Sequence, residues 1–281
     1  MRPVLFIVGG QPLYSYWFFF GLGMLGAVLL ALVLSKYRKL PFYKMWLLCF
    51  SAVFVAFIIA RLSSVGFGMD IADTFDFSKG GEVSFGGLWS AFVVLAVGAK
   101  LFRLKTTDVL DVATPSVFLA QGIQRIGCFL NGCCHGPVSD SWLAYRCAKS
   151  ISPAGDIVGT PCFMYHLELG FVSRGDASSL PVFPIQLLSS AICILMAGAL
   201  AVLVVRSHLE GKLLWLSLLI YGLLRFVIQW YRPNYGGGPL VGWNDGHTLS
   251  LITGVMGLLG LVMSGYVKGL GERGRLPRRT R

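Results

Sequence analysis

The chain alternates long apolar runs with short polar connections, and the runs are longer than the core helices of a water-soluble domain need to be. About 20 apolar residues cross the hydrocarbon core of a bilayer. The pattern predicts seven such spans, roughly 15–36, 42–61, 84–102, 109–130, 184–206, 213–231 and 248–267. A polar segment, 62–83, separates the second and third, and a longer one, 131–183, separates the fourth and fifth. The expected fold class is an all-α integral membrane protein: a polytopic bundle of about seven transmembrane helices in one domain over 1–281. The 131–183 segment would form an extracytoplasmic loop region and 268–281 a basic cytoplasmic tail. No internal repeat or coiled-coil heptad is visible.

Composition sharpens this picture. The chain is 55% hydrophobic and only 13% charged, where soluble domains carry about a quarter charged residues. Met1 is followed by a short apolar stretch and Gly9-Gly10, without the charged start and small-residue cleavage site of a secretory signal. The first long run is therefore read as a permanent helix. The net charge of +11 raises the question of nucleic acid, but the basic residues fall in short clusters between spans and in the tail. That is the distribution membrane orientation requires, so no nucleic-acid partner is expected.

Orientation follows from alternate connections. Lys36, Arg38, Lys39 and Lys44, then Lys100, Arg103 and Lys105, then Arg206 and Lys212, and finally the tail from Lys268 to Arg281, share one side. Asp70, Asp73, Asp76, Glu82, Asp140, Asp156, Glu168, Asp176 and Asp245 share the other. Basic connections stay in the cytoplasm, which predicts a multi-pass inner-membrane protein with its N-terminus outside and its C-terminus inside.

The remaining basic residues then need a reason. Arg61, Arg125, Arg225 and Arg232 all sit where a span leaves the membrane on the outer side, and Tyr16, Gly86-Gly87 and Gln186 lie near the outer starts of other spans. In the sixth span Tyr221, Arg225, Gln229 and Arg232 recur every three to four residues, one helical face. At 1.5 Å per residue Arg225 lies about 9 Å inside the helix end. A guanidinium at that depth costs at least about 2.5–3.5 kcal/mol unless it meets an anion or water. No acidic residue lies in the outer half of the apolar body, so the partner expected is a ligand; a lipid phosphate suits an arginine pair bidentately. Snorkelling to the headgroups is the alternative for any one of these arginines alone.

Glycines accompany Arg125 where the fourth span ends, in the stretch Gln121-Gly-Ile-Gln-Arg125-Ile-Gly127-Cys128-Phe-Leu-Asn131-Gly132-Cys133-Cys134-His135-Gly136. Asn131 and Arg125 offer several donors to an oxyanion. Gly86-Gly87 would admit either a headgroup or a packed neighbouring helix. Cys128, Cys133, Cys134, Cys147 and Cys162 lie on the oxidising side, where one or two disulfides could staple 131–183, with the pairing open and an odd cysteine left over. With His135 and His166 these thiols match no zinc spacing, and no metal is expected. A membrane thiol oxidoreductase is the competing reading of the cysteines.

Arg125-Ile-Gly-Cys-Phe-Leu-Asn131-Gly132-Cys-Cys-His-Gly136 resembles the signature of bacterial prolipoprotein diacylglyceryl transferases. Other landmarks fall in the same order: Tyr16 ahead of Gly23, Ala60-Arg61-Leu62, Gly86-Gly87-Leu88, Asp108-Val-Leu-Asp111 with Pro115, Pro184-Ile-Gln186, Tyr221-Gly222-Leu-Leu-Arg225-Phe226 running to Arg232-Pro233, and Gly246-His-Thr-Leu-Ser250. The resemblance implies transfer of diacylglyceryl from phosphatidylglycerol to the lipobox cysteine thiol of preprolipoproteins at the outer leaflet, with membrane lipid as the other partner and no cofactor. It implies that Arg125 and Arg225, with Asn131, act on the departing phosphate. Tyr16, Arg61, Gly86, Gly87, Gly132, Gly136, Gln186, Tyr221 and Arg232 would bind and shape substrate. The chain departs from the family pattern at Phe85 and Phe183, where histidines are usual, at Ser189 and Gln229, where glutamates are, and at Cys128, often asparagine. The phosphate-side arginines are kept while several acid/base groups are not. The substrate thiol's proton then falls to His135 or His166, to the headgroup phosphate, or to water. A paralogue with another acceptor, or a lipid-binding or transport protein using the same arginines, are the alternatives.

Overall fold

The computed structural model describes residues 2–8, 11–63, 84–149, 159–232 and 245–273. Most of the 62–83 connection with its four acids, Asp156, Pro233 and the tail beyond Arg273 lie outside the described residues. The described chain is mostly helical, in keeping with the expected class. An antiparallel hairpin of β1 (Val4–Val8) and β2 (Gln11–Tyr14) leads into α1 (Ser15–Tyr37). The hairpin is an addition to the predicted elements. The short apolar start folds back on itself, and the Ser15 amide donates to Pro3 O at 2.8 Å, fixing the strand pair to the head of the helix. Then follow α2 (Phe42–Ser63), α3 (Ser84–Leu101), α4 (Thr106–Asn131), a short α5 (Pro161–Glu168), α6 (Ile185–Val205), α7 (Leu213–Gln229) and α8 (Asp245–Arg273).

Among the described residues four stretches are both long and apolar enough to cross a membrane: Ser15–Tyr37, Phe42–Ser63, Ile185–Val205 and Gly246–Gly265. Their outward faces carry large exposed apolar side chains, such as Leu25, Leu29, Phe50, Phe54, Leu195 and Val262, as lipid contact requires. The apolar stretches Gly86–Leu101 and Leu213–Gln229 are shorter. Helix α4 has the length, 26 residues, but dilutes its apolar content with Asp108, Asp111, Thr114, Ser116, Gln121, Gln124 and Arg125.

The chain divides into two compact units. One comprises Met24–Leu119 and Met196–Leu213. In it α3 packs along α2, and a side chain at Gly87 would meet Ala56 O at 2.8 Å. Beyond the ends of these helices, Arg38 donates to Glu210 at 2.6 Å and lies 3.9 Å from Asp111, with Arg38 and Asp111 side chains only 4% and 1% exposed. Asp111 Oδ2 also accepts the Gly211 amide at 2.6 Å, tying the two segments of this unit together.

The other unit comprises Met1–Gly23, Ala120–Leu195 and Leu214–Arg281. Its helices approach through small residues. Ser190 Oγ donates to Gly122 O at 2.7 Å where α6 meets α4. On α7, Gly222 lies so near Gly254 and Ser250 of α8 that a Cβ there would stand 2.8 Å from Ser250 O. In the described parts of the connection between α4 and α6, Cys147, Cys162, Phe163 and Val182 are buried together, and Cys147 and Cys162 form a disulfide.

Candidate functional site

The second unit contains a narrow cleft lined by three helices and the turn after α4. Helix α4 supplies Arg125; α6 supplies Ile185, Gln186, Ser189, Ile192 and Cys193. Helix α7 supplies Tyr221, Leu224, Arg225 and Ile228, followed by Arg232 just past its end, and the turn after α4 adds Cys134. The four-residue step from Tyr221 to Arg225 puts both on one face, and a third guanidinium enters about two turns later, past the helix end. No carboxylate is among the described lining residues. Three guanidiniums on a partly apolar wall form a site for an anion that carries hydrocarbon.

The turn that delivers Cys134 is built by glycine. Helix α4 closes with the Gly132 amide on Phe129 O at 3.2 Å and the Cys133 amide on Cys128 O at 3.2 Å, with Gly132 at φ +79. That is a Schellman ending, which needs a left-handed residue and so favours glycine. Cys134 follows at φ +55, a conformation an ordinary side chain adopts at some cost. The sulfurs of Cys128, Cys133 and Cys134 converge to within 4.8 Å of one another, and Arg125 Nη1 lies 4.0 Å from Cys128 Sγ. The Cys134 thiol is held well below its ordinary range, first by hydrogen bonds from Cys128 and Cys133 and then by the guanidiniums of Arg232 and Arg125; burial opposes them.

Gln186 fastens this turn to α6, its Nε2 donating to Cys133 O at 2.9 Å and to Tyr145 Oη at 2.8 Å. Its Oε1 accepts no hydrogen bond from the described residues. Gly136 lies against Phe183, donating its amide to Phe183 O at 3.1 Å, and a Cβ would leave that strand no room. Tyr16, at the head of α1, accepts from Gln124 Nε2 at 2.8 Å, one residue from Arg125. Asn131 ends α4 and does not line the cleft.

Of the residues singled out from sequence, Arg125, Arg225, Arg232, Tyr221 and Gln186 share the cleft wall, and Tyr16, Gly132 and Gly136 lie in the same unit. Arg61 is buried in α2, and Gly86 and Gly87 face that helix, within the other unit. The two histidines stand apart from the lining. His135 is fully buried with Nδ1 2.9 Å from Gly136 O, and its ring lies 5.6 Å from that of His166, which in turn packs on Phe171. Burial pushes both below the usual histidine range, and for His166 the neighbouring His135 adds to the effect. Gln229 is buried beside Gly246 and is not part of the lining. Cys134 and Cys193, by contrast, are lining residues that sequence reasoning did not select. Their signal was weak: a cysteine pair behind a helix-ending glycine, and a cysteine in an otherwise apolar span.

Residues 3–263 match the family described as prolipoprotein diacylglyceryl transferase. The chain is similar to the phosphatidylglycerol–prolipoprotein diacylglyceryl transferase of Clostridium tetani, 26% identical over 262 residues, covering 92% of this chain and 96% of that one. It is also similar to transferase 2 of that name from Clostridium perfringens, 26% identical over 245 residues, 84% of this chain and 86% of the relative. A Clostridium botulinum counterpart is 29% identical over 184 residues, 61% of this chain and 72% of its own.

Proposed function

This chain belongs to the prolipoprotein diacylglyceryl transferase family, and from that premise we propose that it moves the diacylglyceryl group of phosphatidylglycerol onto the lipobox cysteine thiol of preprolipoproteins. It is a membrane-bound transferase of lipoprotein maturation. In our reading it crosses the bacterial inner membrane seven times, with its N-terminus and the 131–183 connection outside and its basic tail in the cytoplasm. The reaction then takes place at the outer leaflet.

The chemistry explains why arginines and no carboxylate would line such a site. The thiolate sulfur attacks the diacylglyceryl carbon that carries the phosphate ester. A sulfur–carbon bond forms as the carbon–oxygen bond breaks, and glycerol phosphate leaves. A phosphodiester with one negative charge becomes a monoester with nearly two. Charge therefore grows on the leaving phosphate in the transition state, where preorganised donors count most. Arg125 and Arg225 take that role, with Arg232 as a third cation and Tyr221 and Gln186 as neutral donors at the same wall. The apolar residues between them, Ile185, Ile192, Leu224 and Ile228, receive the acyl-bearing end. Tyr16 orients the headgroup, and Asn131, Gly132 and Gly136 shape the turn beside it. Arg61, Gly86 and Gly87 bind lipid within their own unit.

The three-arginine cleft, with no carboxylate among its described lining residues, is the observation that carries this reading. Its test is expression in cells depleted of their own transferase, with a reporter preprolipoprotein followed by mobility shift and mass spectrometry. We expect the reporter to gain a diacylglyceryl group; no gain at good membrane levels of the protein would overturn the assignment.

A further inference from the structure

Thioether formation needs the substrate thiol to lose a proton, and the cleft holds a candidate acceptor that neither histidine replaces. We propose that Cys134, as the thiolate, is the proton acceptor of this site; the inference rests on the transferase reading above.

Besides the arginines, the ionisable groups among the described lining residues are the thiols of Cys134 and Cys193 and the phenol of Tyr221. Cys193 is 2% exposed, and its Sγ donates to Gln121 Oε1 at 3.8 Å, which uses the thiol form. A phenol ordinarily ionises only near pH 10, which leaves Tyr221 a donor. Cys134 differs in its surroundings. Two further sulfurs lie within 4.8 Å of it; the Cys133 thiol donates to Cys128 O at 3.7 Å, which leaves the Cys128 thiol to donate to an anionic sulfur. Arg125 and Arg232, which act on it electrostatically, line the same cleft. Its left-handed backbone follows the Schellman turn, so the chain holds this side chain at the cleft against its own conformational preference. His135 and His166 are buried behind the turn instead.

The step balances within the site. Cys134 Sγ takes the proton from the lipobox thiol, and the guanidiniums that held the Cys134 anion now hold the substrate anion. That sulfur displaces the phosphate ester. The released monoester, with a second pKa near 6, accepts the proton from Cys134 and carries it away. The guanidiniums that stabilise the Cys134 anion receive the substrate anion in its place, so the transfer exchanges one stabilised thiolate for another.

The test uses the full-length protein in nanodiscs containing phosphatidylglycerol, with a fluorescent lipobox peptide as acceptor. Cys134→Ser keeps the size and removes the ionisation. We expect its kcat to fall about 100-fold or more, with KM for phosphatidylglycerol within twofold, and the acidic limb of the kcat–pH profile to disappear. Cys49→Ser, a buried thiol of the other unit, should match wild type in both respects. If Cys134→Ser turns over within threefold of wild type, or turns over slowly with the acidic limb unmoved, the proposal is wrong while the transferase reading stands. If the wild-type protein itself transfers nothing, both fall together. Should the variant not accumulate, the wild-type protein supplies the measurement: the rate at which methanethiosulfonate caps Cys134, mapped by mass spectrometry. Half-maximal reactivity below pH 8 supports a resident thiolate, and reactivity that rises only above pH 9 overturns it.

Discussion

Replacing Arg225 separates holding a lipid from driving its cleavage. Arg225 lines the cleft from near the C-terminal end of α7, one turn after Tyr221, and shares the wall with Arg125 and Arg232. With Arg225→Gln, two guanidiniums would face a phosphate that must gain a full charge as it leaves. Removing one preorganised donor from a developing oxyanion costs about 2.7–4 kcal/mol, or 10²–10³ in turnover. Arg225→Lys keeps the charge and loses the planar fork, one charge-assisted hydrogen bond of about 1.5–3 kcal/mol. At 1.36 kcal/mol per decade that is a loss of about tenfold to a hundredfold. Initial rates with a lipobox peptide in phosphatidylglycerol nanodiscs give both constants. The expected signature is a fall in kcat and kcat/KM together, larger for Gln than for Lys. A variant whose KM rises while kcat holds would place Arg225 among ground-state contacts only, and the charge-development argument would be wrong.

Other consequences are equally direct. Cys147→Ser opens a loop of 15 residues and should cost about 3 kcal/mol, seen as a lower Tm and as protease cleavage within 147–162 in detergent-solubilised protein. Because burial lowers His135 and His166 in the folded protein, the unfolded chain binds more protons below its own histidine pKa of about 6.5. Their neutral packing therefore contributes fully above about pH 6.5 and is lost as pH falls through it; the Tm should drop on acidification, and less steeply in His166→Gln. Asp111→Ala leaves the buried Arg38 guanidinium and the Gly211 amide without their shared carboxylate and should destabilise the protein by about 3 kcal/mol, measured by thermal unfolding while the purified protein's lipid-transfer rate at 25 °C is followed as a control.

Hydropathy made the helical class legible because a bilayer solvent leaves few alternatives to apolar helices. Where the signal blurred, the cause was local. Helix α4 must be long and yet bring Asp111, Gln124 and Arg125 to polar partners, so its mean hydropathy falls although its 26 residues are helical. The hairpin and α5 were invisible because each depends on contacts remote in sequence: Ser15 on Pro3 for one, the Cys147–Cys162 link and Phe163 burial for the other. Within the cleft, Arg125 and Arg225 could be picked out since a charged residue in an apolar span demands a reason. His135 illustrates the opposite case. Residue type marked it as a proton carrier, whereas the turn set by Gly132 sends it into the core and leaves its neighbour Cys134 at the wall. One residue's φ decides between them, and spacing does not encode that.

The missing carboxylate has a thermodynamic side as well. Three like charges on one wall repel one another when nothing lies between them, so the empty protein is the electrostatically strained member of the cycle. An anionic lipid lowers that strain merely by arriving. The folded state is then linked to membrane composition, with stability rising as the logarithm of anionic lipid above its dissociation constant. In a bilayer rich in its own substrate the chain is held together by what it consumes, and a zwitterionic detergent takes that counter-ion away.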